Sequence, residues 1–233
     1  MDSKEYKVPD DPSIAFAARR GIKYDKEKGS VGGGINLYAT DLDGVVREYI
    51  YDDKTEGWGD GASFDDADGY SGVTTWGVYS YAFFFARSKD SPRMKVWWRD
   101  YDPKNLTTWQ PGPQSEASAM QGGGMWGGFA FAFQDPDGTI RGHKVDRNDY
   151  DPSDTSWGVA YDISEGDNPA VNGTGLSGFY FFPSDAGTRF HVFYQAEETG
   201  EIVEAVWDYP EDEDEDHNQT VPGPWRYNTV PIH

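Results

Sequence analysis

Cysteine is absent from the chain. Its absence excludes disulfide staples, thiolate nucleophiles and cysteine-based metal sites. Long apolar runs are missing too: no stretch approaches the roughly 18 residues that a membrane-spanning helix needs. Basic side chains are scarce, with 20 Lys and Arg against 41 Asp and Glu. The resulting formal charge of −21 repels phosphate backbones and anionic lipid, so neither a nucleic-acid nor a membrane partner is expected. No Walker loop, dinucleotide fingerprint or Gly-x-Ser-x-Gly elbow occurs. His143, His191, His217 and His233 show no short metal-ligand spacing. Neither a cofactor nor a bound metal is expected.

Aromatic residues, glycine and proline are plentiful. Nine Trp, fifteen Tyr and thirteen Phe fit strands that pack on a pleated surface. Twenty-eight Gly and fourteen Pro leave little room for long helices. The polar start, Met1–Lys7, does not read as a signal peptide, while sequons at Asn105, Asn172 and Asn218 leave open a secreted protein whose leader was trimmed. The run Glu211–Asp216 reads as a solvated acidic loop.

One pattern recurs along the chain. Ile35–Tyr38 leads through Asp41–Gly44 into Val45–Asp52 and then Trp58. Phe129–Gln134 leads through Asp135–Gly138 into Thr139–Asp146 and then Trp157. Phe190–Gln195 passes Thr199 and Gly200 into Glu201–Asp208 and then Trp225. A looser copy runs from Tyr81–Phe85 through Asp90 into Arg93–Asp100 and then Trp109. The four tryptophans are spaced by 51, 48 and 68 residues, the last step holding the acidic insertion. A period near 50 means one supersecondary unit stacked several times.

Each unit reads as four antiparallel strands, with Ser118–Gln121 the innermost strand of the third and Ser156–Tyr161 its outermost. Asp-x-Asp-Gly turns join the second and third strands by hairpin chemistry, and they lack the distal bidentate Glu of a calcium loop. The second strands are apolar on both faces, so each expects a neighbour on either side. Small residues crowd the innermost segments. These features predict an all-β fold: a single domain, a β-propeller of four blades at about 12-64, 71-112, 117-163 and 174-230. A closed monomer is favoured over a small homo-oligomer, because closure removes exposed edges.

An apolar second strand ending in Gln, a short Gly turn and an Ile-x-Glu third strand resemble the fungal fucose-specific lectin family. Phe190–Gln195 with Glu201–Glu204 is the best match, followed by Ile35–Tyr38 with Val45–Glu48. The resemblance spans roughly residues 30 to 230 and implies sugar clefts between adjacent blades. There an Arg on the second strand and a Glu on the third bind hydroxyls, and aromatic rings meet the apolar face of the sugar. Carried over, the Glu position is Glu48, Val96, Gly142 and Glu204, and the Arg position is Asn36, Ala82, Ala130 and His191. No unit keeps the Arg–Glu pair, and the third unit should bind no sugar in the family manner. The sequence-based ligand set is Asn36 with Glu48 and His191 with Glu204, walled by Tyr38, Trp58, Tyr194 and Trp225. Glu48→Gln or Glu204→Gln is expected to weaken binding with the fold intact.

The first functional reading is therefore a carbohydrate-binding protein with one or two modified clefts. The second is a cofactor-independent enzyme on the same scaffold, such as a pericyclase (hetero-Diels–Alderase) of fungal terpenoid or polyketide biosynthesis. Such catalysis needs an aromatic-walled pocket and a few hydrogen-bond donors. The aromatics Trp97 and Trp126, which lack an equivalent in every unit, and His143 are its candidate catalytic residues. A pure interaction scaffold is the third reading.

Overall fold

The computed structural model describes residues 16–25, 29–41, 43–52, 56–78, 81–100, 108–127, 130–148, 151–164, 169–181, 189–208 and 225–231. The sequons at Asn105 and Asn218, the run 211–216, His217 and His233 lie outside these residues.

The described residues form four four-stranded antiparallel sheets, each a simple meander. Sheet 1 comprises β1 (Phe16–Asp25), β2 (Gly29–Thr40), β3 (Val46–Asp52) and β4 (Gly57–Phe64). Sheet 2 comprises β5 (Val73–Val78), β6 (Tyr81–Arg87), β7 (Arg93–Asp100) and β8 (Gln110–Ser118). Sheet 3 comprises β9 (Met125–Gly127), β10 (Ala130–Gln134), β11 (Ile140–Asn148) and β12 (Asp151–Asp162). Sheet 4 comprises β13 (Ser177–Phe181), β14 (Arg189–Gln195), β15 (Ile202–Asp208) and β16 (Arg226–Val230). The innermost strand of the third unit is thus Met125–Gly127. The expected Ser118–Gln121 instead ends β8 and enters a turn in which Gly122 takes a positive φ of 76°.

The hairpin turns follow their chemistry. Asp41 Oδ1 accepts from the backbone N–H of Asp43 and Val45 at 3.0 and 2.9 Å, and Asp135 does the same for Asp137 and Thr139 at 3.1 and 3.2 Å. Burial pushes the Asp135 carboxyl up to about 6, while hydrogen bonds from Asp135 and Thr139 hold Asp137 down at about 2.

The sheets stack face to face through one repeated contact. Tyr38, Val46 and Phe64 of sheet 1 meet Phe84, Ala86 and Trp97 of sheet 2. The opposite side of sheet 2, with Phe83, Phe85, Met94 and Val96, meets Phe131, Phe133 and Val145 of sheet 3. Ala132 and Ile140 on the other side of sheet 3 meet Val192, Tyr194, Val203 and Ala205 of sheet 4. Each sheet therefore has a back face toward its predecessor and a front face toward its successor. Near the inner strands, Gly72 N–H donates to Gly123 O at 2.8 Å and Gly124 N–H to Thr174 O at 2.9 Å, tying successive units together.

Sheets 1 and 4 are exceptions at the two ends. Among the described residues, no contact comparable to those between neighbouring sheets joins them. Burial reports the same asymmetry: in β6 every residue from Ala82 to Ala86 is buried, whereas β14 alternates between buried and half-buried positions. The neighbour on both sides that the sequence leads one to expect is present for β6 and, among the described residues, lacking on the front of β14.

A Cβ at Gly124 would stand 2.4 Å from Leu176 N and 2.5 Å from Thr174 O, both backbone atoms. Gly124→Ala should therefore destabilise the fold by about 1–3 kcal/mol through overpacking. A urea midpoint unchanged from wild type would contradict this account of the inter-sheet contact.

Candidate functional site

The register of the second and third strands defines equivalent positions in all four units. Tyr38 opposes Glu48, Phe85 opposes Val96, Ala132 opposes Gly142 and Phe193 opposes Glu204. Two residues earlier on the second strands stand Asn36, Phe83, Ala130 and His191. The second-unit position is thus Phe83, one residue from the Ala82 read off the sequence. Four aromatic rings in five residues make the exact register hard to read in the run Tyr81–Phe85.

In the first unit the structure brings Asn36, Tyr38 and Glu48 together and adds three partners from elsewhere. The Glu48 carboxylate accepts from Asn36 Nδ2 at 2.8 Å, Tyr38 OH at 3.0 Å and the Ala62 backbone N–H at 3.3 Å. From sheet 2, Arg99 donates through Nη1 at 2.9 Å and Nη2 at 2.6 Å, and Trp109 Nε1 donates at 3.3 Å. Trp109 also lies over the guanidinium, 4.5 Å from ring centroid to Cζ. The Glu48 and Arg99 side chains are 0% and 1% exposed. Glu48 is a buried structural hub joining two sheets, and no face of its carboxylate is open to a ligand. The signal that points to Arg99 is positional: its equivalents on the third strands are Tyr51, Val145 and Trp207.

The second and third units have lost the acid in different ways. Val96 packs within the apolar contact between sheets 2 and 3. At Gly142, a Cβ would stand 2.1 Å from the Tyr161 ring, so that ring occupies the space of the missing side chain. Trp225 Nε1 in this interface is buried without a hydrogen-bond partner. By the repeat's register Trp225 stands where Trp109 does, and the acid that Trp109 reaches is glycine here.

The fourth unit keeps its acid accessible. On the front of sheet 4, His191 Nδ1 and Glu204 Oε1 are 2.8 Å apart, and Asn228 Nδ2 donates to Glu204 Oε2 at 3.0 Å. The side chains of His191 and Glu204 are 15% and 21% exposed. Phe179 stacks on the imidazole at a centroid distance of 4.4 Å, with Phe193 at 5.9 Å from Phe179. Burial pushes the Glu204 carboxyl up, but hydrogen bonds from His191 and Asn228 outweigh it and hold the group below its ordinary value of 4.5. The arrangement offers a carboxylate acceptor, an imidazole nitrogen, an amide and an aromatic platform on one open face. Asn228 and Phe179 were not among the sequence candidates, because β16 and β13 carry no repeated polar motif.

The remaining candidates lie elsewhere. Tyr194 is on the back of sheet 4, buried in the core with its hydroxyl's pKa raised by burial. Trp225 and Trp126 line a narrow apolar slot between sheets 3 and 4 with Tyr161 and Phe190. Trp58 is on the back of sheet 1, 45% exposed and 5.4 Å from Tyr51, on the face away from Glu48. Trp97 is a core residue between sheets 1 and 2, and His143 is buried beside Trp157 with ring centroids 5.0 Å apart. A polar cleft of about 250 Å³ lies away from all of these, lined by Asp137, Thr139, Ser164, Asn172 and Glu197. No group of three or more His, Asp or Glu among the described residues could hold a metal, and no helix there is long and apolar enough to cross a membrane.

Four-stranded antiparallel meanders stacked front to back are the way the blades of a β-propeller pack. The chain is similar to the fungal lectin of Aleuria aurantia, a six-bladed β-propeller with fucose recognition, at 15% identity and a TM-score of 0.59 over 94% of this chain and 62% of that one. AofleA from Arthrobotrys oligospora gives 12% identity and a TM-score of 0.64 over 95% and 57%. The WD40 domain of SCAP from fission yeast gives 8% and 0.53 over 96% and 55%. At these identities the likeness is one of fold, and there the resemblance to the fungal fucose-specific lectins holds. The chain spans about 60% of the length of the lectins it matches. No protein-family model matches the sequence, and no curated protein matches it.

Removing the Glu48 charge breaks the buried Glu48–Arg99 ion pair. Glu48→Gln should therefore cost about 3–5 kcal/mol of stability, in place of the intact fold expected from sequence. Adding Arg99→Gln should cost far less than a second independent loss, since both changes dismantle one network. Additive losses in denaturant melts would show that the two side chains do not act together.

Proposed function

We propose that this chain is a single-domain, four-bladed, lectin-like propeller that binds a saccharide at the His191–Glu204 cleft of sheet 4. The observation that carries this reading is the fate of the four equivalent acid positions. Glu48 is consumed by Arg99, Val96 and Gly142 have no charge, and Glu204 alone combines a carboxylate with an open face. A sugar presents hydroxyls in fixed directions and an apolar C–H face. Glu204, His191 and Asn228 suit the first, and the exposed ring of Phe179 suits the second.

The solved neighbours include Aleuria aurantia lectin in complex with α-methyl-L-fucoside and with Fucα1-6GlcNAc, so a fucoside is the first ligand to try. Replacement of the family's Arg by His191 changes the donor from a bidentate guanidinium to a single imidazole nitrogen. The preferred sugar is therefore one with fewer adjacent hydroxyls directed at this position. The enzymatic reading gains nothing from the positions of its candidates: Trp97 and His143 are buried in packing, and Trp126 lines a slot too narrow for two reactants.

Calorimetry with α-methyl fucoside, preceded by a glycan array to select stronger ligands, tests the proposal. Glu204→Gln removes one charge-assisted hydrogen bond worth about 1.5–3 kcal/mol, so affinity should fall at least about tenfold with the melting curve little changed. No binding to any sugar at millimolar concentration would sink the reading.

Binding should also depend on pH in a defined direction. The Glu204 carboxyl is held below its ordinary value of 4.5, so the carboxylate's own contribution to affinity should be constant above that value and be lost in more acid solution. A loss of affinity on the alkaline side of 4.5 that persists in His191→Gln would contradict the carboxylate's role.

A further inference from the structure

Three of the four exposed large hydrophobic side chains among the described residues lie on the two uncovered end faces. Ile35 and Trp58 are on the back of sheet 1, 43% and 45% exposed, and Phe179 is on the front of sheet 4, 49% exposed. The repeat gives these two faces a definite relation. Every internal interface pairs the front of one sheet with the back of the next, and the faces left over are one front and one back. They are the two halves of a fourth interface of the same kind.

The contact between sheets 1 and 2 shows how those halves would meet. There a front-face acid, Glu48, receives two residues of the following unit: Arg99 from its third strand and Trp109 from the segment just before its outer strand. In the register of the repeat, the front-face acid of sheet 4 is Glu204. The back-face equivalents in sheet 1 are Tyr51 for Arg99 and Trp58 for Trp109, since Tyr51 opposes Trp58 as the next strand pair requires. Tyr51 and Trp58 already form a ring pair at 5.4 Å. A hydroxyl in place of a guanidinium would leave Glu204 only partly engaged, and an indole would wall the cleft.

We propose that the back face of sheet 1 from a second copy of this chain covers the front face of sheet 4, so that the cleft at Glu204 is completed by the partner's Tyr51 and Trp58. The proposal rests on the saccharide reading for the cleft and extends it to a composite site. A second copy is favoured over the chain's own sheet 1, because among the described residues sheets 1 and 4 do not pack on each other. Two chains joined at both ends close head to tail into one ring of eight sheets, within the four to eight blades that propellers accommodate.

Complementation between two crippled variants tests this. Trp58→Ala removes the indole wall and keeps the acid; Glu204→Gln removes the acid and keeps the wall. Each alone should bind fucoside at least tenfold more weakly than wild type. After co-refolding in equal amounts, about a quarter of the clefts combine an intact Glu204 with a partner's intact Trp58 and should recover wild-type affinity. Sedimentation provides the second readout: wild type should run as two chains, and Trp58→Asp as one. Phe179→Asp, on the opposite end face, should also yield single chains and covers the case in which Trp58→Asp does not fold. A two-chain wild type that binds no sugar would retain the interface and discard the saccharide reading. A single-chain mass at every concentration would overturn the proposal whether or not sugar binds. So would a binding wild type whose two variants fail to complement.

Discussion

The carboxylate of Glu48 is the constraint on which the join between the first two sheets depends. A charge in a side chain with no exposure is tolerable only if its lone pairs are filled, and six donors from three strands and the segment before β8 fill them. A buried ion pair is not by itself a source of net stability, because desolvation offsets much of its Coulombic gain. What it supplies is a geometric requirement. Arg99 reaches both oxygens only when β7 lies at one height against β3, so the pair fixes how sheet 2 sits on sheet 1. The surrounding rings of Tyr38, Phe64, Phe84 and Trp109 supply the apolar area, and the pair selects the register in which they pack.

The other junctions solve the same problem with different chemistry. Between sheets 2 and 3, Val96 stands where Glu48 does, and Trp157 turns its indole N–H to the Pro113 carbonyl at 3.1 Å. Between sheets 3 and 4, Tyr161 fills the place of the acid and its burial raises the pKa of its hydroxyl. The Trp at the end of each unit is therefore a fixed feature of the scaffold, while its hydrogen-bond partner is negotiable. A lectin-like motif in the sequence can thus stand at a position where the structure uses it for packing between sheets.

How much of this was legible beforehand follows from what each signal depends on. The four-stranded units, their hairpins and the strand order depend on local alternation, Asp–Gly turns and a repeat near 50 residues, all of which are visible along the chain. The innermost strand of the third unit was misplaced because Ser118–Gln121 and Met125–Gly127 flank the same glycines, and only the pairing of Trp126 with Ala132 decides between them. Glu48 and Glu204 occupy identical frames, and no local pattern separates them. Their difference comes from Arg99, about fifty residues downstream of Glu48, and from the uncovered front face beside Glu204. Long-range partners of this sort leave no periodic trace. The expected second neighbour of β14 failed for a related reason, since the strand's composition records a covering surface without saying which element provides it.

Gly142 and Tyr161 have a further consequence for how such a protein can change. Across the third and outer strands, size is exchanged: Glu48 faces Gly61 and Val96 faces Gly112, whereas Gly142 faces the bulky Tyr161. A carboxylate cannot return to residue 142 while Tyr161 stands, and shrinking Tyr161 first would open a cavity in the core. Either single step passes through a less stable protein. The exchange works as a ratchet, and a junction that has turned to packing is held there by a pair of residues, neither of which can revert alone.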